Sequence, residues 1–174
     1  AEDITIATNA SQLDIITNQL GDDISVVTEP ERRDTFPAIA LAASYLKHAK
    51  RCPDDEIVVI MPCDPYTETG YFETIRKMSE CVKASVADLV LMGITPTYPS
   101  SKYGYVVPAI NKAACMSSGY MLVDKFIEKP SVEIAEGLIK QHALWNGGVF
   151  SFHLGYMMNI VRKYIDSDTF EETR

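Results

Sequence analysis

Short apolar segments alternate with longer amphipathic segments along the first half of the chain. Strands are predicted where β-branched and other apolar residues cluster, at 4–7, 24–28, 57–61 and 89–94. Helices are predicted between them, at about 10–20, 36–50 and 70–86. Strands that are apolar on both faces and alternate with helices indicate βαβ units. The pattern therefore predicts an α/β fold with a mixed, mostly parallel sheet flanked by helices.

The pattern changes in the second half of the chain. Residues 103–108 and 120–127 predict an antiparallel pair of strands around a Ser-Ser-Gly turn at 117–119. A short helix and another strand follow, and a last helix is predicted at about 154–165. The charged tail, 166–174, is predicted to fray.

The net charge limits the expected binding partners, and the cysteine spacing indicates the expected cellular compartment. The 174 residues carry a net charge of -8, so nucleic acid and anionic membrane surfaces are not expected partners. No stretch of the sequence approaches the ~20 apolar residues of a membrane span. The four cysteines lack the spacing of zinc or redox motifs, which favours reduced thiols in a cytoplasm.

Polar residues follow two of the predicted strands, where open α/β sheets bind ligands. Asp64 comes after the strand at 57–61, and one carboxylate there can hold Mg²⁺, although it could also simply start a turn. The polar segment Glu29–Ala38 comes after the strand at 24–28. It could contact a ligand or form a capped helix in a solvated loop.

Two further segments, Phe126–Pro130 and Leu144–Gly148, suggest a pocket for a phosphorylated sugar. Glu128 could accept two sugar hydroxyls, and Lys129 could pair with a phosphate, although a surface ion pair would also explain both. Gly104 could let a ligand approach the backbone. Trp145 is more often a core residue than a ligand platform, and the residues after it could form only a turn.

Taken in order, these segments resemble the mannose-1-phosphate guanylyltransferases, a family of sugar nucleotidyltransferases. Glu29–Ala38 is similar to the family's Glu-Pro-x-x-Arg-Asn-Thr-Ala-Pro-Ala, and Pro62–Pro65 is similar to its Pro-Ala-Asp-His step. Gly93–Tyr105 is similar to its Gly-Ile-x-Pro-Thr segment with the following Tyr-Gly-Tyr. Phe126–Pro130 and Leu144–Phe150 resemble its Phe-Val-Glu-Lys-Pro and Trp-Asn-Ser-Gly-Met-Phe.

The resemblance implies a Rossmann-like fold with an antiparallel sugar-binding portion. Residues 1–95 would form the nucleotide side, and residues 96–165 the sugar-phosphate side, of a partial domain spanning 1–174. It also implies the reaction of GTP with mannose 1-phosphate to give GDP-mannose and pyrophosphate, with Mg²⁺ as cofactor. The enzyme would be cytoplasmic, and the resemblance leaves a homo-oligomer open.

Residue roles are carried over from the matching motifs. Asp64 would be an Mg²⁺ ligand, and Asp64 and Lys129 would be the catalytic residues. The substrate-binding residues would be Glu29, Pro30 and Arg33 on the nucleotide side, and Gly104, Glu128, Lys129 and Asn146 on the sugar-phosphate side.

Two family features are absent from these residues: the opening Gly-x-Gly-x-x-Thr-Arg-Leu loop and a second Asp metal ligand beyond Trp145. We therefore expect the chain to be the middle piece of a longer catalytic domain. The 174 residues alone are expected to show no measurable turnover, which should appear once the missing ends are restored. The alternatives are a glucose-1-phosphate uridylyl- or thymidylyltransferase and a regulatory homologue that holds a sugar nucleotide without turnover.

Overall fold

The computed structural model describes residues 3–31, 35–109, 119–165 and 170–173. The chain divides into two compact units. The first comprises residues 1–58, 82–88 and 152–174, and the second comprises 59–81 and 89–151. Because the units are interleaved along the sequence, the predicted boundary at residue 95 does not coincide with a boundary between them. The predicted division into nucleotide and sugar-phosphate sides stays a prediction.

The first unit begins with the predicted βαβ arrangement. Strand β1 (Thr5–Asn9) and strand β2 (Ser25–Glu29) pair in parallel and are joined through helix α1 (Leu13–Leu20). A short 3₁₀ turn precedes α1 and is started by Asn9, whose side-chain oxygen accepts a hydrogen bond from the Ser11 N–H at 2.9 Å. The parallel pairing follows from the helical crossover, which a tight turn could not provide.

Two helices bury apolar residues in the interior of the first unit, and a third, short helix contacts one of them. Helix α2 (Thr35–His48) contacts helix α5 (Leu154–Ile165) and the short helix α6 (Phe170–Thr173). The residues buried on α2 and α5 are Ile39, Ala40, Leu41, Ala43, Ser44, Leu154, Met157, Met158 and Val161. Four residues of the tail form α6, and the Thr173 hydroxyl donates to the Ser44 hydroxyl at 3.2 Å, while fraying of the tail stays a prediction.

The remaining strands form a second, five-stranded sheet rather than joining the parallel pair. Its strands are β3 (Ile57–Ile60), β4 (Leu89–Ile94), β5 (Tyr105–Pro108), β6 (Val123–Ile127) and β7 (Leu144–His153). Helix α3 (Thr69–Lys83) comes between β3 and β4 in the chain, and helix α4 (Val132–Lys140) comes between β6 and β7. The strand order is β3-β7-β5-β6, and β4 also pairs with β7. Strand β5 is antiparallel to both β6 and β7, which confirms the predicted antiparallel pair. The predicted turn residues 117 and 118 lie outside the described part of the chain.

The pleat of β5 separates two faces of this sheet. Tyr105 and Val107 share one face and pack in a core cluster with Ala135, Leu138 and Ala143, the first two of which belong to α4. Because side chains alternate along a strand, Gly104 and Val106 belong to the opposite face. A second core cluster is formed by Met78, Met92 and Val149. None of the helices in the described ranges is long and apolar enough to cross a membrane.

Gly155, at the start of α5, packs closely against the chain at Asp54 in the first unit. The Gly155 N–H donates to the Asp54 carbonyl at 2.9 Å, and a Cβ at Gly155 would lie 2.8 Å from Asp54 Cβ. Gly155→Ala should therefore lower the free energy of unfolding by about 2 kcal/mol in urea denaturation. Gly137→Ala is the control, because nothing lies within 4 Å of its Cβ position in α4. It should stabilise by about 0.5–1 kcal/mol, and equal effects of the two variants would contradict the steric argument.

Candidate functional site

Three neighbouring strands bring two of the predicted site segments together. Tyr105 is paired with Ile127 on β6 and with Trp145 on β7. One residue before Tyr105, Gly104 accepts a hydrogen bond through its carbonyl from the Asn146 N–H at 2.8 Å. Residues that are 42 positions apart in the sequence therefore meet at one end of the second unit's sheet.

Gly104 makes room for two side chains from β6 and its end. A Cβ at Gly104 would lie 2.5 Å from Phe126 Cζ and 2.6 Å from Glu128 Oε2. The predicted close approach to the Gly104 backbone is thus made, in this structure, by the protein's own carboxylate and aromatic ring. Phe126 was not among the predicted site residues. Its position two residues before Glu128 is the signal that could have found it, since alternate residues of a strand share a face.

Lys129 follows Glu128 in a strained backbone conformation. Its φ of 43° lies in the left-handed region, which disfavours any residue with a Cβ by about 1–2 kcal/mol. Its ammonium lies 3.5 Å from a Glu128 carboxylate oxygen, and both side chains are more than half exposed. An exposed pair of this kind adds only ~0–1 kcal/mol, so the ion pair does not account for a lysine at a position suited to glycine.

Asn146 and the two glycines after it lie inside β7 rather than in a turn. The Asn146 side-chain oxygen accepts a hydrogen bond from the Gly148 N–H at 3.2 Å. Gly148 has a φ of 70°, and a Cβ at Gly147 would lie 2.9 Å from the Met92 carbonyl oxygen. Both glycines are therefore required by the backbone, and the half-buried Asn146 amide is held beside them.

Trp145 belongs to the face opposite the candidate site. It packs against the core cluster that contains Tyr105. Tyr98 and Tyr103 lie against its indole, with ring centroids 5.2 and 4.8 Å away. A hydrogen bond with Tyr98 raises the pKa of the Tyr103 hydroxyl. The indole N–H is buried and makes no hydrogen bond to the described residues. The interpretation of Trp145 as a core residue is thus favoured over that of a sugar platform.

Asp64 lies in an exposed bend that follows β3. Within the described ranges, no group of three or more His, Cys, Asp or Glu side chains is arranged to hold a metal ion. A single exposed carboxylate still fits Mg²⁺, which keeps several waters and is often bound by one or two carboxylates plus substrate phosphates. Asp64 is therefore able to serve as one oxygen ligand.

The residues predicted for the nucleotide side belong to the first unit. Glu29 is the last residue of β2 and is half-buried, and Pro30 is exposed. Arg33 lies outside the described residues. The structure thus groups Gly104, Glu128, Lys129 and Asn146 within the second unit, and the contribution of Glu29, Pro30 and Arg33 stays a prediction.

Comparison with known proteins identifies the family to which the chain belongs. A model of the nucleotidyl transferase family matches residues 1–173. The chain is 34% identical over 131 residues to a mannose-1-phosphate guanylyltransferase of Sinorhizobium fredii, covering 74% of this chain and 24% of that protein. It is 33% identical over 135 residues to a mannose-1-phosphate guanylyltransferase of Escherichia coli, covering 75% of this chain and 28% of that protein.

A solved structure shows the same fold. It is described as a mannose-1-phosphate geranyltransferase from Thermus thermophilus and superposes with a TM-score of 0.76 at 25% identity. The superposition covers 99% of this chain and 52% of that one. The chain thus spans about a quarter of the length of these two curated relatives and about half of the solved structure.

Proposed function

Because the chain belongs to the nucleotidyl transferase family, we propose that the whole protein transfers a guanylyl group from GTP to mannose 1-phosphate. The products are GDP-mannose and pyrophosphate. The names of the relatives at 33–34% identity support this choice of substrates. The observation that carries the proposal is the convergence of Gly104, Glu128 and Asn146 at one sheet end, with Lys129 next to them.

The sugar phosphate is bound by groups of complementary chemistry. The two oxygens of the Glu128 carboxylate accept hydrogen bonds from neighbouring sugar hydroxyls, which are donors in a fixed spacing. Asn146 supplies an amide that both donates and accepts. Lys129 places its positive charge at the phosphate, where an ammonium acts as a point charge.

The reaction is an in-line displacement at phosphorus. A phosphate oxygen of mannose 1-phosphate attacks the α-phosphorus of GTP and forms the new P–O bond. The bond from the α-phosphorus to the bridging oxygen breaks, and its electron pair leaves with pyrophosphate. The protein holds the two substrates in line, and Lys129 offsets charge on the attacking phosphate, so no covalent enzyme intermediate is needed.

We assign the metal and nucleotide contacts by motif and position. Asp64 would hold Mg²⁺, which when bound neutralises charge on the transferring phosphates. Glu29, Pro30 and Arg33 would lie on the nucleotide side. A cytoplasmic setting is proposed from the cysteine spacing of the sequence.

Pyrophosphate release tests the proposal directly. The whole protein should release pyrophosphate from GTP and mannose 1-phosphate in the presence of Mg²⁺. UTP, dTTP and glucose 1-phosphate should compete poorly. Faster turnover with glucose 1-phosphate and UTP or dTTP would assign the protein to the alternative transferases. Binding of GDP-mannose without any pyrophosphate release would instead indicate a regulatory homologue.

Gly104→Ala should disturb sugar binding more than folding. The added methyl group would displace the Glu128 carboxylate and the Phe126 ring, and both side chains are exposed enough to move. We expect KM for mannose 1-phosphate to rise about tenfold, equivalent to ~1.4 kcal/mol, with KM for GTP unchanged. Gly70→Ala is the control, since nothing lies within 4 Å of its Cβ position. A lower melting temperature with an unchanged KM would contradict the expectation.

A further inference from the structure

Phe126 presents an aromatic ring beside the candidate sugar-binding carboxylate. Phe126 and Glu128 are two residues apart along one strand direction, so their side chains share a face of the sheet. Phe126 Cζ and Glu128 Oε2 both approach the same point above Gly104, at 2.5 and 2.6 Å. The ring edge and the carboxylate are therefore neighbours.

The ring is only partly used by the fold. Phe126 is paired with the buried Val106 on β5, yet 47% of its surface is exposed. Strand β6 is the last strand in the order β3-β7-β5-β6, so among the described residues no further strand pairs with its outer side. A partly exposed aromatic ring beside a carboxylate combines the two kinds of surface that a small-molecule site needs.

A pyranose ring has complementary chemistry. Its axial C–H bonds form an apolar patch on one face, while its hydroxyls project from the rim. Stacking that patch on an aromatic ring removes apolar surface from water and leaves the rim hydroxyls free to meet a carboxylate. The phosphate has no such apolar surface, so an aromatic ring cannot select it.

We propose that Phe126 is the platform on which the sugar ring of the substrate stacks, and that this stacking sets the sugar orientation in which its hydroxyls reach Glu128. The inference rests on the proposed function, because it concerns the sugar half of the same site. It assigns sugar recognition to Phe126 and Glu128 together and phosphate recognition to Lys129.

Saturation-transfer difference NMR on the whole protein tests the proposal, since the method detects weak ligands. Mannose 1-phosphate should receive saturation most strongly at the C–H protons of one ring face and show upfield ring-current shifts. Phe126→Leu should remove these shifts and weaken binding about tenfold, within the range that stacking contributes in other ligand sites. Phe126→Tyr should keep both the shifts and the affinity. Val123→Ala, an exposed change in the same strand, should have no effect.

Further measurements separate the inference from the proposed function. Inorganic phosphate, followed by its ³¹P signal, should bind wild type and Phe126→Leu equally. One outcome would overturn only the platform: Glu128→Gln weakens the binding of mannose 1-phosphate, but Phe126→Leu leaves the affinity for this ligand and its ring-current shifts unchanged. The proposed function would then stand. If wild type shows no saturation transfer to mannose 1-phosphate at millimolar concentration, both are overturned. Folding of each variant is checked by its melting temperature. If Phe126→Leu unfolds, the ring-current shifts decide, because bound mannose 1-phosphate without upfield shifts in both wild type and Phe126→Tyr would overturn the platform.

Discussion

Replacing Lys129 by glycine should remove most of the transfer activity while leaving the protein as stable as before or more stable. Lys129 has a φ of 43°, a conformation that glycine adopts without strain. The substitution removes the ammonium that pairs with the substrate phosphate, a charge-assisted contact worth about 3 kcal/mol. We expect kcat/KM for mannose 1-phosphate to fall about a hundredfold, measured by pyrophosphate release. The melting temperature should stay equal or rise.

Two further variants separate charge from backbone strain. Lys129→Ala should lose as much activity as the glycine variant but be less stable than it, because alanine keeps the strain. His142→Gly is the matched control, since His142 is exposed and has a φ of 62° in the turn after α4. It should show a similar change in melting temperature with full activity. A glycine variant at 129 that keeps wild-type kcat/KM would show that Lys129 does not contact the phosphate.

Local sequence signals were sufficient for most helices and strands. The predicted strand at 89–94 and the predicted helix at 154–165 coincide with β4 and α5. In α5 the periodic apolar positions Leu154, Met157, Met158 and Val161 are the buried ones. The predicted start of β5 at residue 103 is two residues early. There the Ser100 N–H donates to the Tyr105 hydroxyl and the Lys102 N–H donates to the Ser100 hydroxyl, so the chain stays in a loop. These hydrogen bonds depend on side-chain geometry that periodicity does not reveal.

Strand partners could not be obtained from the same signals. The predicted α/β fold with sheets flanked by helices is confirmed. The predicted mixed sheet is divided in two, because the parallel pair β1-β2 is separate from the sheet that contains β5, β6 and β7. Which strands pair is decided by long-range packing, and alternation within one strand contains no information about its neighbour. The same limit applies to the site, since the contacts of Gly104 with Glu128 and Asn146 follow from the pairing of β5 with β6 and β7.

The opposite placement of two adjacent residues in β7 shows this limit most directly. Trp145 and Asn146 are neighbours in sequence and belong to the same predicted segment, Leu144–Gly148. In the sheet, Trp145 packs into the core cluster, while the Asn146 backbone is bonded to Gly104 at the site. The alternation of a strand separates them, and the aromatic ring on the site face is Phe126.

Asp64→Asn should cause the largest loss of turnover among these changes. The substitution keeps the shape of the side chain but removes the charge that a hard divalent cation needs. We expect kcat to fall about a thousandfold at saturating GTP and mannose 1-phosphate, equivalent to ~4 kcal/mol of transition-state stabilisation. Because Asp64 is exposed, the free energy of unfolding should change by less than ~0.5 kcal/mol.

The dependence on Mg²⁺ distinguishes a metal ligand from a residue that only shapes the bend after β3. The Asp64→Asn protein should need a higher Mg²⁺ concentration for half-maximal pyrophosphate release, with KM for mannose 1-phosphate little changed. Asp88→Asn is the control, because Asp88 is also an exposed carboxylate in a bend, before β4, and the rate and Mg²⁺ dependence of this variant should match wild type. If Asp64→Asn instead keeps the wild-type Mg²⁺ dependence and lowers the melting temperature, Asp64 serves the turn and not the metal. The charge on the phosphates would then have to be neutralised by other residues, with Lys129 as the first to examine.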